Sequence, residues 1–88
     1  MVESVRATPA VSRVLAVFLE DPAADRYGLD LMRVSGYPSG TLYPILTRLE
    51  RAGWIEARWE QLDPAVAGRP ARKYYRLTAG GVAAARNG

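Results

Sequence analysis

Three features of the sequence predict a mainly α chain that carries a β-hairpin wing. Apolar residues recur at helical spacing in three successive segments before residue 53. The hydropathy pattern then switches to period two, over 54–60 and again over 72–77. Between the two alternating segments lies a proline-containing loop whose far end is basic. The 88 residues are expected to form one domain, 1–88. A chain of this size buries only about 60% of its extended surface and therefore relies on a tight core or a partner.

The first helix is expected to open at Thr8-Pro9, with Thr8 as N-cap and Pro9 in the first helical position. Val11, Val14, Leu15 and Phe18 follow at helical spacing, Val17 and Leu19 widen the stripe, and Asp21-Pro22 ends it. Asp25 is a second N-cap candidate, starting a short helix through Tyr27, Leu29, Leu31 and Met32 that stops near Gly36. A third helix runs from about Ser39 or Thr41 to Ala52, with Gly53 where a left-handed residue belongs. Pro44 lacks an amide and favours a regular start near Thr41, which places it in the first turn.

In 54–60, charged positions alternate with Ile55, Ala57 and Trp59, and 72–77 forms the second strand. Such a ribbon is marginal alone, so Ile55, Trp59, Tyr75 and Leu77 are expected to face the helices. Thr78 can cap a short last helix through Val82 to Arg86, although Gly80 and Gly81 each weaken it by about 1 kcal/mol relative to Ala. Three helices, strand, long loop, strand and helix is the order of a winged helix-turn-helix.

Composition removes whole classes of function. The chain has no cysteine and no histidine, which excludes disulfides, zinc ribbons, thiol nucleophiles and His-based triads. No metal site, cofactor or enzymatic activity is expected, since the acids are scattered singly and no glycine-rich phosphate loop is present. With no long apolar run or leader, neither a membrane span nor a signal peptide is expected, and the protein is expected to be cytoplasmic. Charge is unevenly spread. Residues 1–63 hold seven Arg against nine acids, whereas 64–88 hold Arg69, Arg72, Lys73, Arg76 and Arg86 with no acid. All but one of the basic residues are Arg, the side chain suited to bidentate phosphate and guanine contacts.

On the third helix, Leu42, Ile45, Leu46 and Leu49 define a buried stripe. The opposite face presents Pro44, Thr47 and Arg51, flanked by Tyr43 and Arg48, which offers donors and flat surfaces to base edges. Solvated surface charge, supported by Glu50 and Glu56, is the competing reading of Arg48 and Arg51. Ser39, Gly40 and Thr41 sit at the helix start, where free amides and the helix dipole suit a phosphate; simple capping suffices to explain Ser39 or Thr41 there, and both readings can hold at once. In the loop, Arg69, Arg72 and Lys73 suit a phosphate backbone or a narrow minor groove, or else keep the ribbon edge soluble. Trp54 and Trp59 read as packing residues, and Tyr74 as a cross-strand neighbour of Arg58.

The segments Tyr27-Gly28-Leu29-Asp30-Leu31, Ser39-Gly40-Thr41-Leu42-Tyr43-Pro44-Ile45-Leu46-Thr47-Arg48-Leu49-Glu50 and Gly53-Trp54-Ile55 with Trp59-Glu60, then Gly68-Arg69-Pro70-Ala71-Arg72-Lys73-Tyr74-Tyr75-Arg76-Leu77-Thr78 followed by Gly81, resemble the PadR family of bacterial transcriptional regulators. The resemblance covers roughly residues 12–82. It implies a dimeric, repressor-type protein that binds double-stranded DNA at a palindromic operator. By position, Thr41, Tyr43, Pro44, Thr47 and Arg48 belong to a helix entering the major groove, Arg69, Arg72 and Lys73 to the wing, and Ser39 to a phosphate-facing position.

PadR-like proteins generally continue into further helices that dimerise and help form an effector pocket. Here the segment after Thr78 is short and poor in large apolar residues, so the chain is expected to be either a minimal member or a DNA-binding fragment. No small-molecule effector is expected. A homodimer is expected to form through the first helix, using Val2, Val5 and exposed parts of the Val11–Leu19 stripe. The alternative function is that of a protein-interaction winged helix that modulates another regulator.

Overall fold

The computed structural model describes residues 5–87. Thr8 caps helix α1 (Pro9–Leu19) as expected, its Oγ1 accepting from the Val11 amide at 3.1 Å. Val11, Val14, Leu15, Val17 and Phe18 are all buried, so most of the apolar stripe is used inside the protomer. Val5 and Leu19 remain half-buried and Ala16 exposed; Val2 lies outside the described residues.

The next segment corrects one expectation. Asp25 does not cap the second helix; its carboxylate pairs instead with Arg58. Arg26 and Tyr27 form a short strand, β1 (Arg26–Tyr27), and α2 (Gly28–Ser35) begins directly after it. Backbone pairing of β1 with a later strand keeps the chain extended through Tyr27, which delays the helix. α2 stops at Gly36, whose φ of +80° is the left-handed geometry that glycine adopts without a Cβ penalty.

Helix α3 (Ser39–Arg51) buries Leu42, Ile45, Leu46 and Leu49, the expected stripe. It begins at Ser39, the earlier of the two expected starts, but its cap and the place of Pro44 differ from expectation. Pro38 occupies the cap position, and neither Ser39 nor Thr41 makes a side-chain cap bond. Pro44 therefore lies beyond the first turn. The carbonyl that loses its partner is that of Gly40, which is solvent-exposed and can be met by water.

Gly53, at φ +79°, turns the chain into β2 (Ile55–Trp59). β2 pairs antiparallel with β3 (Lys73–Leu77), from Ile55 opposite Leu77 to Trp59 opposite Lys73. β1 lines the other edge of β3, giving a three-stranded sheet in the order β1-β3-β2 where a two-stranded ribbon was expected. Within the wing loop, α4 (Pro64–Ala67) forms a single helical turn capped by Asp63, whose carboxylate accepts from the Ala65 amide at 2.9 Å.

Ile55, Tyr75 and Leu77 pack onto the helices, each contributing on the order of 1.5–3 kcal/mol by burial. Trp59 does not, and the inward placement expected for it is corrected: it is 65% exposed. The burial alternation along β2 holds from Ile55 to Arg58 and fails at Trp59, the last residue of the strand. Trp54 is buried as expected. Finally, α5 (Ala79–Asn87) is capped by Thr78, whose Oγ1 accepts from the Gly81 amide at 2.9 Å. Among the described residues, no helix is long and apolar enough to cross a membrane.

Candidate nucleic-acid interface

The outer face of α3 is open to solvent along its length: Ser39, Gly40, Thr41, Tyr43, Pro44, Thr47, Arg48 and Arg51 are all exposed. Glu50 and Glu56 do not restrain the two arginines. Glu50 lies 3.8 Å from Lys73, and Glu56 lies 3.2 Å from Arg76. Among the described residues, Arg48 and Arg51 therefore have no acidic partner, which leaves both guanidinium forks available. Tyr43 is held more firmly than its exposure suggests, because its hydroxyl abuts the backbone of Gly28 at the start of α2.

The three basic wing residues occupy different situations. Arg69 forks onto Glu60, with Nη1 donating to Oε1 at 2.7 Å and Nη2 to Oε2 at 3.1 Å. Arg72 has no acidic partner among the described residues; its guanidinium lies 4.4 Å from the centroid of the Tyr27 ring. Lys73 lies between Glu50 and the Tyr75 ring, 5.6 Å from the ring centroid.

Glu60 joins these residues. Besides Arg69, its carboxylate accepts from the Arg72 amide at 3.3 Å and from the Tyr74 hydroxyl at 3.3 Å. The Arg69 hydrogen bonds, aided by the Arg72 amide, the Arg69 charge and Tyr74, hold the Glu60 carboxyl down at about 2 against a partial opposing effect of burial. Arg69 is correspondingly raised above its ordinary value by the Glu60 bonds. Tyr75 is raised by burial, with the neighbouring Tyr43 and Glu50 adding to the effect, and stays neutral at physiological pH.

Between α3 and the wing runs an open cleft of about 650 Å³, lined by Leu29, Tyr43, Trp59, Arg72 and Lys73 among others. The fold thus brings the start of α3 and the base of the wing to one surface. Arg48 and Arg51, farther along α3, do not line that cleft. Three members of this region stood in the segments that resemble the family but were given no interface role from the sequence: Glu60, the stacking platform Tyr27 and the exposed Leu29. Glu60 carries no local signal, because its partners lie nine to fourteen residues away.

Comparison with known proteins agrees with this geometry. Residues 14–87 match the family model described as the transcriptional regulator PadR-like family. Among solved structures, the chain is similar to smu.1704 from Streptococcus mutans UA159, at 31% identity and a TM-score of 0.72, covering 99% of this chain and 78% of that one. It is similar to a PadR-like transcription factor from Bacteroides fragilis at 24% identity and a TM-score of 0.72, over 88% and 73% of the two chains. MarR of E. coli shares 27% identity at a TM-score of 0.73, over 92% of this chain but 54% of MarR. No curated protein matches. With a winged helix-turn-helix fold and a family match over most of its length, the chain belongs to the PadR-like family of DNA-binding transcriptional regulators.

Proposed function

We propose that this protein is a sequence-specific repressor that inserts α3 into the major groove and lays its wing along the adjacent backbone or minor groove. The observation that carries this reading is the pair Arg48 and Arg51, without an acidic partner among the described residues, on an exposed helix face beside a basic wing. Arg48, Arg51 and Thr47 read base edges, while Ser39, Gly40, Thr41 and Tyr43 sit against phosphate. Pro44 supplies an apolar surface to the groove wall. Arg69, Arg72 and Lys73 form the wing's contribution.

The functional unit is a homodimer on a palindromic site, its two copies of α3 about 34 Å apart. A groove of about 270 Å³ between α1 and α5, lined by Val5, Leu15, Leu19, Ala84 and Ala85 among others, supports docking of a second copy there.

The test is a binding comparison of the wild type with an R48Q/R51Q variant and an R69Q/R72Q/K73Q variant. Loss of α3 arginines that read bases should flatten the preference among duplexes, whereas loss of the wing charges should weaken all duplexes alike and lower the salt slope. Unchanged affinity in the wing variant contradicts the wing assignment. One observation favours a second reading, that of a protein-interaction module: Val66, at the far end of the wing, is 85% exposed. A V66D substitution that abolishes regulation while leaving DNA affinity intact would select it.

A further inference from the structure

Glu60 is an acid placed among the cations of a surface that the reading above sets against a polyanion. Left to simple electrostatics, it would weaken that surface, and its removal would strengthen binding. Its contacts point the other way. One carboxylate receives both arms of Arg69, the backbone amide of Arg72 and the hydroxyl of Tyr74. The Glu60 amide also donates to the Arg72 carbonyl at 2.7 Å, so residues 60 and 72 are bonded in both directions across the base of the loop. The neighbouring strand ends with Trp59 opposite Lys73, so Glu60 closes the loop just where regular pairing stops.

Arg69 is largely consumed by these contacts. Nη1 serves both Glu60 and the Pro70 carbonyl, at 2.7 and 3.2 Å, and Nη2 serves the second Glu60 oxygen. Arg72 is the reverse case: its backbone is clamped while its guanidinium, laid over Tyr27, has no acidic partner among the described residues.

We propose that the Glu60–Arg69 pair is a strut that fixes the wing base and aims the Arg72 guanidinium at DNA phosphate, which makes Glu60 and Arg69 positioning residues. The inference rests on the DNA-binding reading and refines it, since Arg69 acts through Arg72 and does not itself supply a phosphate contact. An unclamped loop of this length must order its base on binding, and that cost falls on affinity.

The experiment is a fluorescence-anisotropy titration of an operator duplex with wild type, E60Q, R69Q and the double variant over a range of salt, with thermal melting of each protein alongside. The strut predicts that E60Q weakens binding by about 5- to 10-fold, as for one lost hydrogen bond, although it removes a negative charge from the interface. R69Q should weaken it to a similar extent, and the double variant should be no worse than either single one. The second single variant keeps the test informative if E60Q alone fails to fold. Equal or tighter binding by E60Q, or additive losses in the double variant, overturns the strut while leaving DNA binding standing. Absence of wild-type binding to any duplex is a different result: it overturns the DNA reading, and the strut with it.

Discussion

The Tyr43 hydroxyl rests so closely on Gly28 that a methyl group at position 28 would overlap it. This contact ties the exposed face of α3 to the first residue of α2. Its absence of a side chain, more than any special backbone angle, is what position 28 requires, since Gly28 is not among the glycines with positive φ.

Replacing Gly28 with Ala should therefore act on recognition more than on stability. The obstructing atoms are at the far end of a side chain that can rotate away, so the unfolding free energy should fall by no more than about 1 kcal/mol. Tyr43 is then displaced from its place at the interface. DNA affinity should fall, and Y43F should fall less than G28A if position rather than the hydroxyl itself matters.

Gly81 gives the opposite outcome. A Cβ there would meet the backbone carbonyl of Trp54, which cannot swing aside. The same carbonyl accepts from the Thr78 amide at 3.0 Å and from the Thr78 hydroxyl at 3.2 Å, which fix it in place. G81A should destabilise the fold by about 1–3 kcal/mol, despite the better helix propensity of Ala, because α5 must lift from its seat. Chemical denaturation of the two Gly→Ala variants checks the contrast directly.

The Glu60 carboxyl should titrate far below an ordinary glutamate. Because its value is lowered by folding, the stabilisation it provides is present in full above the usual value of 4.5 and disappears as pH falls toward about 2. Across neutral pH the wing base should show no Glu60 titration. Carbon-detected NMR of the side-chain carboxyl should show the low value in the wild type and a return toward 4.5 in R69Q.

Only two tryptophans are present, and they differ sharply in exposure: Trp54 is 9% exposed and Trp59 65%. Acrylamide should quench mainly Trp59 in the free protein. Duplex DNA should protect it, because it lines the cleft between α3 and the wing. A W59F variant should lose the response, and persistence of the signal in that variant would show that the response arises elsewhere.

What the sequence reveals follows the range of the interactions involved. Thr8-Pro9, Gly36, Gly53 and the α3 stripe act within a turn or two, and each was readable from neighbours in the chain. The exposure of Trp59 was not, because period two identifies a face of the ribbon and does not say where the helical core beneath it ends. Asp25 looks like a cap by type and position, but its helix start was set by strand pairing of Tyr27 with Tyr74, 47 residues away in the chain. The individual roles of Arg69, Arg72 and Lys73 were likewise hidden. Three cations in one short segment look alike until Glu60, Tyr27 and Glu50 are brought beside them by the fold.

Sequence-specific DNA binding is tested by a fluorescence-anisotropy titration with duplex DNA from upstream of the protein's own gene. A scrambled duplex of equal length is run in parallel, each at low and high salt. Tight binding that prefers the native duplex is predicted, with the logarithm of the association constant falling by about 0.9 per phosphate contact for each tenfold rise in salt. Weak, salt-independent binding to both duplexes would contradict the account. Equal affinity for both would remove the sequence reading assigned to Arg48 and Arg51.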